Sequence, residues 1–178
     1  MSFYPHSFFA PVERFGIGRD RKVWYNVLFL PEDLIAELPL KQYPRLRIEG
    51  EIADMPISNA IIPAGDNRYY VMISPKIMKD ADLHIGDDVE IRFGLADQDH
   101  VDVPKALEDA LKANDQFYAL WDTLTPGKRR MFSFHVKGAK TEKTRARRVD
   151  EAMDALEHHR GDLKACLKKR REQRNQGA

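Results

Sequence analysis

Two stretches decide the fold of this chain: Val27–Leu38, VLFLPEDLIAEL, and Val71–Leu83, VMISPKIMKDADL. Each runs from an apolar, β-prone segment through a proline into a short amphipathic helix. Tyr25, Val27 and Pro31 match Tyr69, Val71 and Pro75 at an offset of 44, and the strands that follow, RLRIEG at 45–50 and DVEIRF at 88–93, match at an offset of 43. Proline suits the first helical position because its φ is already helical and the N–H it lacks would have no partner there. The repeat predicts an internal duplication in which two strand-proline-helix-strand copies pair about a pseudo-twofold axis and close one barrel. Closure removes exposed sheet edges, which a small β unit has no other means to protect.

The neighbouring segments extend this reading. Phe8–Phe15 and Val23–Leu30 are rich in aromatic and β-branched residues and flank a Gly-Ile-Gly-Arg-Asp turn region, so they are expected to form a hairpin. In RLRIEGEI, Arg45, Arg47 and Glu49 alternate with Leu46, Ile48 and Gly50; in 88–95, Val89, Ile91 and Phe93 point inward and Glu90 and Arg92 outward. Pro56–Pro63 is a further short strand, and Ala64-Gly65-Asp66-Asn67 is the turn that joins it to RYYVMIS. The expected count is six or seven strands.

After Val103 the periodicity changes from two to about 3.6. PKALEDALKAN (104–114) places Leu107, Ala110 and Leu111 on one face, and Phe117, Leu120, Trp121 and Leu124 form a second helical stripe. Thr125-Pro126 caps a third helix with Phe132, Val136 and Ala139 inside, and Thr141 caps a fourth with Val149, Met153 and Leu156 inside, ended by Gly161. The chain therefore divides into a split barrel over 1–103, a helical module over 104–160 and a basic, flexible tail over 161–178.

Composition narrows the function classes. No apolar run reaches the roughly 18 residues needed to cross a bilayer, and MSFYPHSFFAPVERF has neither the basic start nor the continuous apolar core of a signal peptide. A cytoplasmic location is the expectation. Cys166 is the sole cysteine, so no intrachain disulfide and no thiolate cluster can form. The net charge of +1 conceals strong polarity: residues 1–124 carry 13 basic and 21 acidic side chains, a net of −8, and residues 125–178 carry 16 and 7, a net of +9. Only the second region attracts a polyanion.

The strands in order, with Pro63-x-Gly65-Asp66-x-Arg68, Ile85-Gly86-Asp87-Asp88-Val89, and Lys140 followed by Thr144-Arg145-Ala146-Arg147-Arg148, resemble the YdeI/OmpD-associated, or bacteriocin-protection, family of bacterial proteins preceded by its companion barrel domain of unknown function. The resemblance covers Phe8 to Leu156. It implies an α+β protein: a double-split β-barrel similar to AbrB and MazE-type proteins but completed within one chain, then a C-terminal helical module. It implies little chemistry, since the family name records a phenotype. Where the tail module usually carries a tryptophan, this chain has His135.

The candidate partner contacts are Lys128, Arg129 and Arg130, then Arg145, Arg147 and Arg148, then Lys168, Lys169, Arg170 and Arg171. Against a binding role stands the solvated face of a packing helix, because Asp150 and Glu151 lie three or four residues from those arginines. A second candidate is a barrel mouth at which Trp24, Tyr69, Arg45, Arg47 and Arg68 take a small anionic ligand, set against ordinary core packing. His158-His159 point to different faces of a helix, with no cysteine or carboxylate at ligand spacing, and Asp87-Asp88 suit a turn, so no metal and no cofactor is expected. No P-loop, nucleophile elbow, zincin or dinucleotide motif occurs. The expectation is a monomeric, non-enzymatic binding or stress-protection module whose partner is an acidic protein or nucleic acid, with sequence-unspecific nucleic-acid binding and small-anion binding as the alternatives.

Overall fold

The computed structural model describes residues 3–18 and 22–176. It is α+β and separates into two compact units, Met1–Gln98 and Asp99–Ala178.

The first unit is a seven-stranded antiparallel sheet. Its strands are β1 (His6–Pro11), β2 (Glu13–Ile17), β3 (Val23–Phe29), β4 (Leu46–Ile52), β5 (Met55–Gly65), β6 (Arg68–Ile73) and β7 (Asp88–Leu95), in the order β1-β7-β4-β5-β6-β3-β2. The duplicated segments lie in this one sheet and pair with each other, β3 with β6 and β4 with β7. Val27 faces Met72 and Leu28 faces Val71; Gly50 faces Phe93, its own equivalent in the second copy. Such reciprocal pairing is what a pseudo-twofold relation requires. Gly50 is fixed by this contact, because a Cβ there would lie 2.0 Å from the Arg92 carbonyl oxygen and 2.7 Å from the Phe93 Cα.

The two connecting helices are α1 (Glu32–Glu37) and α2 (Pro75–Asp80). Each buries one residue against the sheet, Leu34 in α1 and Ile77 in α2. Their starts differ. Ser74 caps α2, its Oγ accepting from the Ile77 N–H at 3.2 Å with Pro75 in the first turn, whereas Pro31 itself occupies the cap position of α1 and offers no side-chain bond.

The hairpin expectation needs a correction. Phe8–Phe15 is not one strand: His6–Pro11 pairs with β7, and only Glu13–Ile17 pairs with β3. Pro11 has no N–H to continue a ladder. Val12, fully buried, turns its backbone to the 84–87 turn, donating to the Asp87 carbonyl at 2.9 Å and accepting from the Gly86 N–H at 2.8 Å. The two ends of the sheet order are thus joined through one residue, and the sheet curls as a half-barrel to bring them together. Its concave face holds Phe8, Val12, Leu28, Leu46, Ile48, Ile61, Val71, Ile91 and Phe93. The turn between β5 and β6 is as read, with Gly65, Asp66 and Asn67 all at positive φ; part of the β2–β3 turn, Arg19 and Asp20, lies outside the described residues.

The second unit holds α3 (Lys105–Lys112), α4 (Asp115–Asp122), α5 (Pro126–Lys137), α6 (Glu142–His158) and α7 (Leu163–Gln176). Side-chain oxygens of Asn114, Thr125 and Thr141 cap α4, α5 and α6. Leu107, Leu111, Trp121, Phe132, Val136, Ala152, Ala155 and Leu156 form the core, with Trp121 and Phe132 edge to face at 5.9 Å. Two expectations change. The buried face of α6 is Glu151, Ala152, Ala155 and Leu156, and Val149 and Met153 sit at its margin. Residues expected as a flexible tail form α7, because Leu163 and Cys166 recur on one face and both bury fully enough to anchor its first turns.

Candidate functional site

The end of α6 and the start of α7 shape the site. Gly161, at φ 72°, donates its N–H to the Ala155 carbonyl at 2.9 Å, a closure of the helix end that needs left-handed backbone at Arg160 and Gly161. An added Cβ on Gly161 would meet Leu124 Cδ2 at 2.4 Å, so the turn is also tightly packed. The chain reverses, and α7 returns along α6.

Between them lies a groove of about 660 Å³ whose wall includes Arg147, Lys169, Arg170 and Arg174, the carboxylates of Glu151 and Asp154, and His158 and His159. Four permanent cations face two carboxylates, so the groove carries a positive field. The carboxylates are already engaged. Glu151, only 7% exposed, holds His135 Nε2 at 2.8 Å and Arg147 Nε at 3.9 Å. Asp154 Oδ2 accepts from Arg170 Nε at 2.9 Å and lies 2.8 Å from Arg170 Nη2; His158 Nδ1 lies 3.2 Å from Asp154 Oδ1. Burial opposes ionisation of Asp154, but the Arg170 hydrogen bond, with those of Cys166 and the His158 charge, outweighs it and holds the carboxyl below its usual range. Beneath it, Cys166 is wholly buried, its Sγ 3.3 Å from Asp154 Oδ2; burial first, then Asp154, pushes this thiol up to about 11.

The ten basic candidates separate by what they touch. Arg129 ties off the end of α4: its Nε donates to the carbonyls of Trp121 and Leu124, each at 3.1 Å, and its Nη2 to that of Asp122 at 2.8 Å. Arg148 does the same for α5 through the His135 carbonyl at 2.7 Å, and Arg130 donates to the His100 carbonyl at 3.1 Å. Arg145 pairs with Glu142 and Lys168 with Glu172 along their own helices. Lys128 and Arg171 are exposed on α5 and α7. Only Arg147, Lys169 and Arg170 of the ten come together in the groove. Arg174 and Gln173 are additions that the sequence patterns did not single out; the expectation that His158 and His159 have no cysteine or carboxylate at ligand spacing is corrected, since Asp154 stands beside both and Cys166 beside His159.

The barrel-mouth candidates each have a neighbour within the first unit, and those of Arg68 and Arg45, Phe29 and Tyr70, touch each other with ring centroids 6.2 Å apart. Trp24, 54% exposed, carries the Arg14 guanidinium at 5.9 Å, and Arg68 stacks on Phe29 at 4.8 Å. Arg47 donates to the Asp97 carbonyl at 3.0 Å, Arg45 acts on the Tyr70 phenol, and Tyr69 packs against the sheet core. His135 finds a role in place of an aromatic contact, as the half-buried link from α5 to Glu151 on α6.

Comparison with known families agrees with this division. Residues 100–159 match the family described as bacteriocin-protection, YdeI or OmpD-associated, and residues 8–93 match a domain of unknown function, DUF1905. The chain carries the YdeI/OmpD-associated domain. It is preceded, within the same chain, by a DUF1905 domain that accounts for the curled sheet. No curated protein and no solved structure matches the chain significantly. The YdeI/OmpD-associated match ends at residue 159, so α7, which supplies one wall of the groove, lies beyond the matched segment.

Proposed function

We propose that this chain is a monomeric, non-catalytic binding module of the cytoplasm, in which the groove between α6 and α7 receives the acidic surface of a protein partner. The observation that carries the reading is the convergence of Arg147, Lys169, Arg170 and Arg174 on one concavity: Arg147 and Arg170 offset Glu151 and Asp154, and Lys169 and Arg174 give the groove its net positive charge. The protection named in the family's description would follow from capture of such a partner. The curled sheet is, on this reading, a double-split barrel of the AbrB and MazE kind; its support is the reciprocal pairing of β3 with β6 and β4 with β7.

Fluorescence polarisation with a labelled poly-glutamate peptide tests the proposal, comparing the full chain with a Lys169→Glu/Arg174→Glu variant. Binding that the charge reversal abolishes is expected; a peptide that stays free at low salt overturns it. A second reading, sequence-unspecific nucleic-acid binding, is favoured by the run Lys168–Arg171 on α7, of which Lys168, Lys169 and Arg171 are exposed. A labelled oligonucleotide in the same titration decides it, since phosphate binding would weaken steeply as salt rises.

A further inference from the structure

Beyond anion binding, we infer that Asp154, His159 and Cys166 form a site for a borderline-soft divalent transition metal, of which zinc is the representative, at the floor of the α6–α7 groove. Each residue presents one donor atom, and the oxygen, nitrogen and sulfur lie within 4.8 Å of one another. The fold builds this proximity. Asp154 sits in the last turns of α6, the left-handed reversal at Arg160–Gly161 fixes His159 at the helix cap, and the first turns of α7 bring Cys166 beneath both. Cys166 is fully buried, whereas Asp154 and His159 are half-buried and border the groove.

The donor set specifies the class of ion. Magnesium and calcium take oxygen ligands and gain nothing from sulfur. One thiolate, one imidazole and one carboxylate suit a tetrahedral ion with three protein ligands, which leaves a fourth position for solvent or a ligand from the groove side. A supporting contact is present as well: His158 Nδ1 lies 3.2 Å from Asp154 Oδ1. The Glu151 carbonyl, 3.6 Å from Cys166 Sγ, accepts from the thiol and loses that bond when the proton leaves. The binding step balances simply. The metal forms a bond to sulfur, the thiol proton leaves to solvent, and the Arg170 guanidinium gives up Asp154 Oδ2 to the ion. Arg170, whose side chain is 35% exposed, has room to turn into the groove. In the metal-free chain Arg170 therefore stands in for the cation and competes with it.

The test uses the full chain stripped with a chelator and titrated with cobalt(II), then with zinc in competition. One equivalent of cobalt should produce the sulfur-to-cobalt charge-transfer band and the intense visible bands of tetrahedral coordination, and zinc should erase them. Cys166→Ser should lose the charge-transfer band, and His159→Ala and Asp154→Asn should each weaken binding by about tenfold or more. Arg170→Gln should tighten metal binding several-fold while weakening any anion bound in the groove, which separates this site from the proposed binding function. Circular dichroism verifies that each variant is folded. The inference is overturned if the folded wild type gives no charge-transfer band, or if the band and its affinity survive in both His159→Ala and Asp154→Asn, since the thiol alone would then be holding the ion.

Discussion

Replacing Gly50 by alanine tests the duplicated sheet at its axis. The added Cβ would lie 2.0 Å from the Arg92 carbonyl oxygen and 2.7 Å from the Phe93 Cα, and both are backbone atoms that no rotamer change can move. An ordinary carbon–oxygen contact needs more than 3 Å, so β4 and β7 must part by over ~1 Å where Glu49, Gly50 and Glu51 face Gly94, Phe93 and Arg92. Losing two or three ladder hydrogen bonds at about 1 kcal/mol each, with about 1–3 kcal/mol for overpacking, gives a destabilisation of roughly 3–6 kcal/mol. That is a large part of the 5–15 kcal/mol that typically separates folded from unfolded domains. Urea-dependent hydrogen exchange of peptides covering 46–52 and 88–95 reads the effect directly. Gly65→Ala is the comparison, because Gly65 has nothing within 4 Å and its φ of 93° imposes backbone strain alone, about 1–2 kcal/mol. Adding Phe93→Ala to Gly50→Ala should rescue nothing, since the Arg92 carbonyl remains in place. A Gly50→Ala protein whose β4 and β7 exchange at the same urea concentration as wild type would refute the pairing of Gly50 with Phe93.

Three further outcomes are expected. Arg129→Ala should cost about 1–3 kcal/mol by stripping the donor from the carbonyls at the end of α4, whereas the adjacent exposed Lys128→Ala should stay within about 0.5 kcal/mol in the same thermal melts. In chelated protein the stability advantage of wild type over Cys166→Ala should shrink as pH rises from about 8.5 towards 11: the unfolded thiol ionises first, the folded one holds its proton to about 11, and the loss is on the order of 1 kcal/mol per pH unit. A gap in urea midpoints that is flat from pH 7 to 10 would show the thiol to be less shielded than its burial indicates. Gly127→Ala, in the first turn of α5 with open space around its Cα, should raise the melting temperature by the equivalent of about 0.5 kcal/mol.

The sheet was legible because its signals are local and doubled. Alternation in 46–52 and 88–95 identifies the inward residues from their spacing alone, and the structure buries Leu46, Ile48, Val89, Ile91 and Phe93 accordingly. The break at Val12 was not legible, since Phe8–Phe15 is uniformly β-prone and nothing in it says that its halves serve opposite ends of a curled sheet; only Pro11 hints that a ladder stops there. In the helical unit the caps at Thr125 and Thr141 announce themselves by chemistry. The inner face of α6 is turned by a fraction of a turn from the Val149, Met153 and Leu156 stripe because Glu151, a charged residue, is buried by its partnership with His135 sixteen positions earlier.

The site shows the same limit more sharply. An arginine-rich helix looks like a single positive surface, yet a guanidinium carries five donors in a planar fork and meets backbone carbonyls as readily as carboxylates. Arg129 and Arg148 accordingly close the ends of α4 and α5 and contribute to the fold before they contribute to any field. What remains for a partner is decided by the reversal at Arg160–Gly161, because that turn sets Lys169, Arg170 and Arg174 against Arg147 and sets Cys166 beneath Asp154 and His159. Residues at spacings of five and seven across a helix end have no periodic signature. They become neighbours only when glycine at φ 72° lets the second helix fold back, so the proposed groove depends on the left-handed pair Arg160–Gly161.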